Sequence, residues 1–398
     1  MMPMKPTLFL LAALLSFVAP LAEANEPTSP NVHFRGSLAN SRLRFERDKL
    51  GHVAFMGGSI TEMNGYRPIV MENLAKRFPD TKFTFTNAGI SSTCSTTGAH
   101  RLATDVLAKG PVDLFFVEFA VNDDQDAQHA RRECIRGLEG IVRQLRAQNP
   151  GADIVITYFV NERMLAEIDA GKLPLTIESH EAVAEHYDIS SVNLAKELSD
   201  RIKAGTFTWK QYGGVHPAKP GNTLCAGLIE ELFAKAWKGP RPGMAVDHVP
   251  PAKPLDEGHY GKGRFIDLDA AKADSNWTLA KPDWKAIPGS WRDRYRELPM
   301  LQAAKPGAEL TLPFDGQAIG AFLLAGPDAG MLEVSIDGGE TRTIDLFHNY
   351  SKGLHYPRSV LVATDLKPGP HVLKLRVSDK HNEMSKGTAV RLIHFEGN

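Results

Sequence analysis

The sequence lacks most of the features that mark whole classes of protein. Its 398 residues include only three cysteines, too few for a fold built on disulfides. The net charge is −1 and no basic block occurs, so neither nucleic acid nor an anionic membrane is an expected partner. There is no phosphate-cradling glycine loop and no dinucleotide fingerprint. His180 and His186 are spaced so that they face different sides of a helix, so neither a metal nor a cofactor is expected.

A long apolar run occurs only at the start of the chain. Lys5 precedes the apolar stretch Leu8–Val18, and Ala22-Glu23-Ala24 follows with small residues at the spacing of a cleavage site. The run is too short for a comfortable membrane span. The sequence therefore predicts a signal peptide at residues 1–24 and a mature protein that is periplasmic or secreted.

The rest of the chain divides by its hydrophobic pattern. Residues 25–50 form a polar and charged approach segment, and residues 51–238 alternate short apolar strands with amphipathic helices. Such alternation predicts an α/β domain, with a three-layer α/β/α arrangement around a parallel sheet of the flavodoxin-like type. Residues 239–260 are rich in proline and predict a linker. Seven strand-like runs within residues 261–398 predict an antiparallel β-sandwich.

Four short motifs follow or flank the predicted elements of the α/β domain. They are Gly57-Gly58-Ser59, Asn87-Ala88-Gly89, Val121-Asn122-Asp123 and Gly214-Val215-His216-Pro217. Each alone is as well explained by an ordinary turn. Three of them fall at the carboxyl ends of predicted parallel strands, where such sheets bind their ligands.

In that order the motifs resemble the four blocks of the SGNH (GDSL-type) hydrolase superfamily, over residues 53–237. The resemblance implies an esterase in which Ser59 is the nucleophile and His216 the base. It also implies an oxyanion hole made by the backbone N–H groups of Ser59 and Gly89 and by the side-chain amide of Asn122.

One position departs from the family pattern. The family usually carries an aspartate three residues before its histidine, and Gly213 stands there in this chain. His216 would then act with Ser59 as a dyad, or an acid from elsewhere, namely Glu118, Asp123 or Asp124, would orient it. A weakly active or inactive domain is the third alternative. The retained nucleophile, base and donors favour the first two.

Several further residues are weaker candidates. Arg67 and Arg101 flank the predicted site and would contact substrate, although a place on the surface or behind the residues that touch substrate explains them equally well. In the second domain, Tyr350 and Tyr356 lie in an aromatic segment that suits stacking on sugars, as in carbohydrate-binding modules, or packing between domains.

The cysteines allow one disulfide at most. Cys94 and Cys134 each follow a predicted strand end, and we expect them to pair. Cys225 lies in an apolar helical pattern and is expected to be buried.

The sequence thus predicts an exported, metal-independent serine esterase that acts on short-chain esters, with O-acetyl groups of poly- or oligosaccharides as the favoured substrate. A lipase, lysophospholipase or thioesterase of the same superfamily is one alternative. A glycan-binding protein on a degenerate hydrolase domain is the other. The sequence predicts no oligomeric state.

Overall fold

The computed structural model describes residues 29–241 and 243–398, so the predicted signal peptide lies outside the described residues. The helices are α1 (Ala39–Arg47), α2 (Ser59–Glu62), α3 (Tyr66–Arg77), α4 (Ser95–Asp105), α5 (Ala120–Gln125), α6 (Arg131–Gln148), α7 (Glu162–Asp169), α8 (Leu175–His186), α9 (Leu194–Lys203), α10 (Trp209–Tyr212) and α11 (Lys219–Ala236). The strands are β1 (Val32–His33), β2 (Leu50–Gly57), β3 (Lys82–Gly89), β4 (Leu114–Glu118), β5 (Asp153–Thr157), β6 (Ser190–Val192), β7 (Arg264–Ile266), β8 (Lys272–Ala273), β9 (Thr278–Ala280), β10 (Met300–Ala303), β11 (Glu309–Asp315), β12 (Ile319–Ala325), β13 (Gly330–Ile336), β14 (Arg342–Asp345), β15 (Tyr356–Ala363), β16 (Pro370–His381) and β17 (Val390–Gly397). None of the helices in these ranges is both long and apolar enough to cross a membrane.

The first domain is built on one six-stranded sheet in the order β1-β6-β5-β4-β2-β3. All of its pairs are parallel except β1 with β6. The central strands β4 and β5 are buried along their whole length, because helices cover both faces of the sheet. Helix α6 contacts α4 and α8, and helix α11 contacts α3 and α9. The predicted three-layer α/β/α fold is confirmed.

The second domain consists of two antiparallel sheets that enclose their own apolar core. One has the order β15-β12-β17-β10-β9 with β7 added to β17, and the other has the order β14-β13-β16-β11-β8. The seven predicted strands correspond to β11 to β17, so the predicted β-sandwich is confirmed. The four additional strands, β7 to β10, are two to four residues long and too short to show an alternating pattern.

The segments predicted as an approach and a linker both pack on the first domain. The approach supplies β1 and α1, although its sequence shows no clear period. In the linker, the backbone N–H groups of Leu255 and Asp256 donate to the buried carboxylate of Glu139, at 2.8 and 3.0 Å. Tyr260 is completely buried against the core of the first domain. The predicted boundaries stay a prediction, but the connection between the domains is anchored on α6.

A buried arginine on α6 joins this connection to the second domain. The Arg136 side chain is 1% exposed, and its guanidinium bonds to Asp256 at 3.0 Å and also to Asp365 of the second domain. The neighbouring Arg132 contacts the same two aspartates, but its side chain is 56% exposed. Burial strengthens such a pair and makes the loss of one partner costly.

We expect Arg136→Met to lower the free energy of unfolding by about 2 to 3 kcal/mol, because it leaves the half-buried Asp256 carboxylate without its buried partner. The matched control is Arg132→Met, which removes a solvated contact to the same acids and should have a much smaller effect. Urea unfolding of both variants measures the difference. Equal losses would show that burial of Arg136 does not strengthen this junction.

Candidate active site

The carboxyl ends of three neighbouring strands meet at one edge of the sheet. Gly57, the last residue of β2, is paired with Gly89 of β3 on one side and with Glu118 of β4 on the other. Ser59 follows at the first position of α2, where its own backbone N–H has no intrahelical acceptor. The parallel register therefore brings three of the four sequence motifs together.

The fourth motif reaches the same place from the loop before α11. His216 Nε2 lies 2.7 Å from Ser59 Oγ, the distance of a good hydrogen bond between a hydroxyl and a base. The loop is held in shape by a bond of 2.7 Å from the Ala218 N–H to the Tyr212 carbonyl. Residues 157 positions apart in the chain thus form a nucleophile–base pair.

None of the three acids proposed to orient His216 bonds to it among the described residues. Glu118 accepts from the Gly58 N–H and the Thr61 hydroxyl, on the far side of the serine turn. Asp123 bonds to Ser95 and His180, and Asp124 to Asn161 and Arg163. His216 itself is exposed. The geometry favours a Ser59–His216 dyad over a relocated acid.

The backbone explains why the usual aspartate is missing. Gly213 has φ +106°, a region that residues with a side chain rarely adopt. A Cβ there would lie 2.2 Å from the Ala218 nitrogen, which is itself bonded to the Tyr212 carbonyl. No side chain fits at position 213 while this loop keeps its form.

An aspartate introduced at position 213 should therefore not improve the enzyme. We expect Gly213→Asp to destabilise the protein by at least about 2 kcal/mol, from the positive φ and the backbone clash together, and not to raise activity. Gly214→Asp is the matched control, because Gly214 also has a positive φ but open space around its Cβ position. Urea unfolding and ester hydrolysis measure both. A stable, faster Gly213→Asp variant would contradict the expectation.

The carboxyl of Glu118 holds the turn that carries Ser59, because it accepts hydrogen bonds from Gly58 and Thr61 on either side of the serine. It is completely buried, and burial raises its pKa from 4.5 to about 8, although the bonds from Thr61 and Gly58 oppose the rise. Between pH 4.5 and about 8, the folded protein therefore keeps the Glu118 proton, whereas the unfolded chain has lost it. The free energy of unfolding accordingly falls as the pH rises from 4.5 to 8, and this contribution is constant above.

Ionisation of Glu118 above about pH 8 places a negative charge behind Ser59, which should slow any reaction that builds an oxyanion there. We expect Glu118→Gln, which keeps the acceptor oxygen, to preserve activity above pH 8 better than the unaltered protein. Glu396→Gln is the control, because burial also raises the pKa of Glu396 to about 8, but this residue lies in the second domain beside Ser359. Activity profiles against pH that coincide for both variants would contradict this role.

The donors predicted for the oxyanion hole are not all in place. The Asn122 amide packs against Gly58, where a Cβ would lie 2.1 Å from its oxygen, and one of its two N–H bonds is donated to Asp126 at 2.6 Å. The Gly89 N–H, in contrast, donates to the Asn87 side chain at 3.0 Å. A Cβ at Gly89 would collide with the backbone of Thr61 and Glu62, so the glycine serves the close packing of α2 on β3.

Ser92 is a cleft residue that the sequence analysis missed. It lines the same cleft as Ser59 and His216, and its φ is +70°, uncommon for a residue with a side chain. Its backbone N–H has no hydrogen-bond partner among the described residues. The signal in the sequence was weak, because nothing distinguishes Ser92 from its neighbour Ser91 before the fold is known.

The two arginines predicted to contact substrate lie behind the site. Arg101 is completely buried, and its guanidinium donates to the backbone carbonyls of Ala88 and Gly57 at 2.7 and 3.0 Å. Arg67 is 9% exposed and donates to the Thr61 carbonyl at 3.3 Å. Both fix the ends of strands and the serine turn. Neither arginine lines the cleft that holds Ser59, so the structure favours the supporting role over substrate contact.

The second domain forms one wall of the cleft. Its lining residues come from both domains and enclose about 500 Å³, and they are Ser59, Ser91, Ser92, Gln125, Asp126, Val215, His216, Ser290, Arg292, Tyr350, Gly353, Leu354 and Tyr356. The predicted Tyr350 and Tyr356 are therefore both at the site, with Tyr350 48% exposed. The Tyr356 hydroxyl donates to Asp126 at 2.6 Å, and its ring stacks on His348.

Two arginines of the second domain hold the loop that carries Ser92. Arg292 donates to the Ser91 carbonyl at 3.0 Å and to the Ser92 hydroxyl at 2.9 Å. Arg294 bonds to Glu62 at 3.0 Å, and Glu62 in turn accepts from the Ser91 N–H at 2.8 Å. The loop is thus fixed from both domains.

The predicted disulfide is absent. Cys94, Cys134 and Cys225 are all free thiols, and each is buried. Cys94 lies just before α4 and Cys134 on α6, and both lie in a polar cluster with histidines and Asp123. That Cys94 and Cys134 both follow strand ends was not enough to predict a bond between them.

The first domain thus has an α/β/α fold with a serine–histidine pair at the ends of its parallel strands. Residues 55–224 match the GDSL-like lipase/acylhydrolase family. The match spans most of the first domain and supports a carboxylic ester hydrolase.

Solved structures resemble the whole chain. A two-domain esterase active on acetylated mannans, co-crystallised with mannopentaose, has a TM-score of 0.72 and 22% identity. A second structure of such an esterase has a TM-score of 0.73 and 21% identity. Each match covers 92% of this chain and 96% of the other. At this identity the likeness establishes the shared two-domain fold. No curated protein sequence matches the chain.

Proposed function

We propose that this chain is an exported serine esterase that removes short acyl groups, O-acetyl groups above all, from poly- or oligosaccharides. The observation that carries the proposal is the bond of 2.7 Å between His216 Nε2 and Ser59 Oγ inside a cleft shared by both domains. A nucleophile and its base within hydrogen-bond reach are what acyl transfer requires.

In the proposed reaction, His216 takes the Ser59 hydroxyl proton while Ser59 Oγ attacks the ester carbonyl. The oxyanion that forms is stabilised by the backbone N–H groups of Ser59 and Ser92 and by the free N–H of the Asn122 amide. His216 then protonates the departing sugar hydroxyl, which leaves an acyl-serine. Water, deprotonated by His216, releases the acid and restores Ser59.

The lining of the cleft suits the binding of a carbohydrate better than that of a long acyl chain. Its walls carry hydroxyls, an amide, a carboxylate and the Arg292 guanidinium, and Tyr350 presents an exposed ring for stacking on a sugar. The similar two-domain esterase is active on acetylated mannans, which suggests the same class of substrate for this chain. A lipase or thioesterase would need an apolar channel for the acyl chain, whereas polar and apolar side chains are mixed along this lining.

Ser59→Ala should lower the hydrolysis of acetyl esters by about 10⁴-fold or more, because no other hydroxyl lies within hydrogen-bond reach of His216 among the described residues. Acetate release from a panel of acetylated polysaccharides measures the loss, and covalent labelling of Ser59 by a fluorophosphonate confirms the nucleophile. Unchanged hydrolysis would refute the mechanism. Faster hydrolysis of long-chain than of acetyl nitrophenyl esters would favour the lipase alternative. If Ser59 is not labelled and no ester is hydrolysed, the glycan-binding alternative is favoured.

The second domain should contribute to the chemical step as well as to binding. We expect Arg292→Ala to lower kcat by about 10- to 100-fold, because the loop with Ser92 loses two bonds and the oxyanion donor shifts. Arg296→Ala is the control, since the guanidinium of Arg296 contacts only Asp293 among the described residues. Steady-state kinetics on one acetylated oligosaccharide compares them. A change in KM alone would mean that Arg292 only binds substrate.

A further inference from the structure

A second cluster of reactive side chains lies beside the cleft, and the ester hydrolysis does not use it. This thiol–histidine cluster consists of Cys94, Asp123, His129, Cys134 and His180. Its members form two groups that share Asp123. In the first, the donor atoms of Cys94, Asp123 and His129 all lie within 4.8 Å of one another, and in the second so do those of Asp123, Cys134 and His180.

The first group has the donors and the spacing of a zinc site. Thiolate, imidazole and carboxylate are the three ligand types that zinc takes in proteins. His129 Nδ1 lies 3.5 Å from Asp123 Oδ1, close to the separation of about 3.4 Å that two such ligands have on one tetrahedral zinc. This nitrogen is buried and makes no hydrogen bond among the described residues. An unpartnered buried nitrogen facing a carboxylate points to a missing ligand.

Neighbouring groups already hold the donors in place. Asp123 accepts from the Ser95 backbone N–H at 2.8 Å and from its hydroxyl at 2.6 Å. His180 Nε2 lies 3.0 Å from the other side of the same carboxylate. The Cys94 sulfur lies 3.1 Å from the Thr96 hydroxyl. Such outer contacts orient metal ligands before the ion binds.

The two groups differ in their access to solvent. His129 lines a groove of about 870 Å³ that also contains Asp124, Asn161 and Val215, whereas the three members of the second group are all buried. The first group therefore borders the groove through the His129 side chain, while Cys94 and Asp123 are themselves buried.

We propose that Cys94, Asp123 and His129 bind one thiophilic divalent cation, zinc by the chemistry of the donors, at a site distinct from Ser59 and His216. Binding releases the proton of the Cys94 thiol to solvent, and the thiolate, the imidazole and the carboxylate fill three positions of the ion. The proposal departs from the expectation, based on sequence, that no metal is bound.

The test uses the full mature chain without an affinity tag, stripped with a chelator and then titrated with Zn²⁺. We expect one zinc per chain by mass spectrometry of the metal and a rise in Tm on its addition. Co²⁺ in place of zinc should give the near-ultraviolet absorption of a thiolate-to-cobalt transition. Cys94→Ser and His129→Gln should each weaken zinc binding by at least about 100-fold. Cys225→Ser, a buried thiol outside the cluster, should leave it unchanged.

Each of the following results would overturn the proposal. The unaltered protein retains no zinc after dialysis, or its cobalt form lacks the thiolate band. Cys134→Ser removes the band while Cys94→Ser keeps it, which places the ion in the second group. The denatured, unreduced protein shows one free thiol instead of three, which means that Cys94 and Cys134 form a disulfide. None of these measurements depends on esterase activity.

Discussion

The cleft depends on one carboxylate, that of Asp126. It accepts from the Asn122 amide at 2.6 Å and from the Tyr356 hydroxyl at 2.6 Å, and its backbone carbonyl lies 3.0 Å from His348 Nε2. Asn122 belongs to the first domain, and the other two residues belong to the second. Hydrogen bonds to a carboxylate are among the stronger ones in proteins. The residue that orients the amide beside Ser59 is therefore itself held by contacts from the second domain.

The opposite wall of the cleft is also held by contacts from the second domain. Arg292 and Arg294 reach across to Ser91, Ser92 and Glu62, and these bonds fix a loop whose central residue has a positive φ. A loop in such a conformation needs its surroundings to hold it. The second domain thus completes the site. This explains how aromatic residues more than 100 positions from the hydrolase motifs come to line a cleft with Ser59.

Sequence patterns predicted the parts of the site that depend on local order. The alternation of strands and helices placed Ser59, Gly89 and Asn122 at strand ends, which parallel register gathers at one edge. The resemblance to the SGNH hydrolases then singled out His216, which lies before the last helix of the domain. Ser92 and Arg292 were missed, because their roles arise from a loop conformation and a domain contact that no local pattern encodes. For Arg101 the sequence left two roles open, and the structure favours the supporting one. Arg101 is near the site in sequence, but its guanidinium bonds to backbone carbonyls and to Asp105 inside the fold.

One short helix connects the cleft with the thiol–histidine cluster. On α5, Asn122 packs against Gly58, whereas the next residue, Asp123, turns to Ser95, His129 and His180. Successive positions of a helix point about 100° apart, so adjacent side chains can serve two sites. A helix of six residues has little stability of its own and needs anchors at its side chains. An ion held by Asp123 would be such an anchor, and it would fix the backbone that also presents the Asn122 amide to the oxyanion.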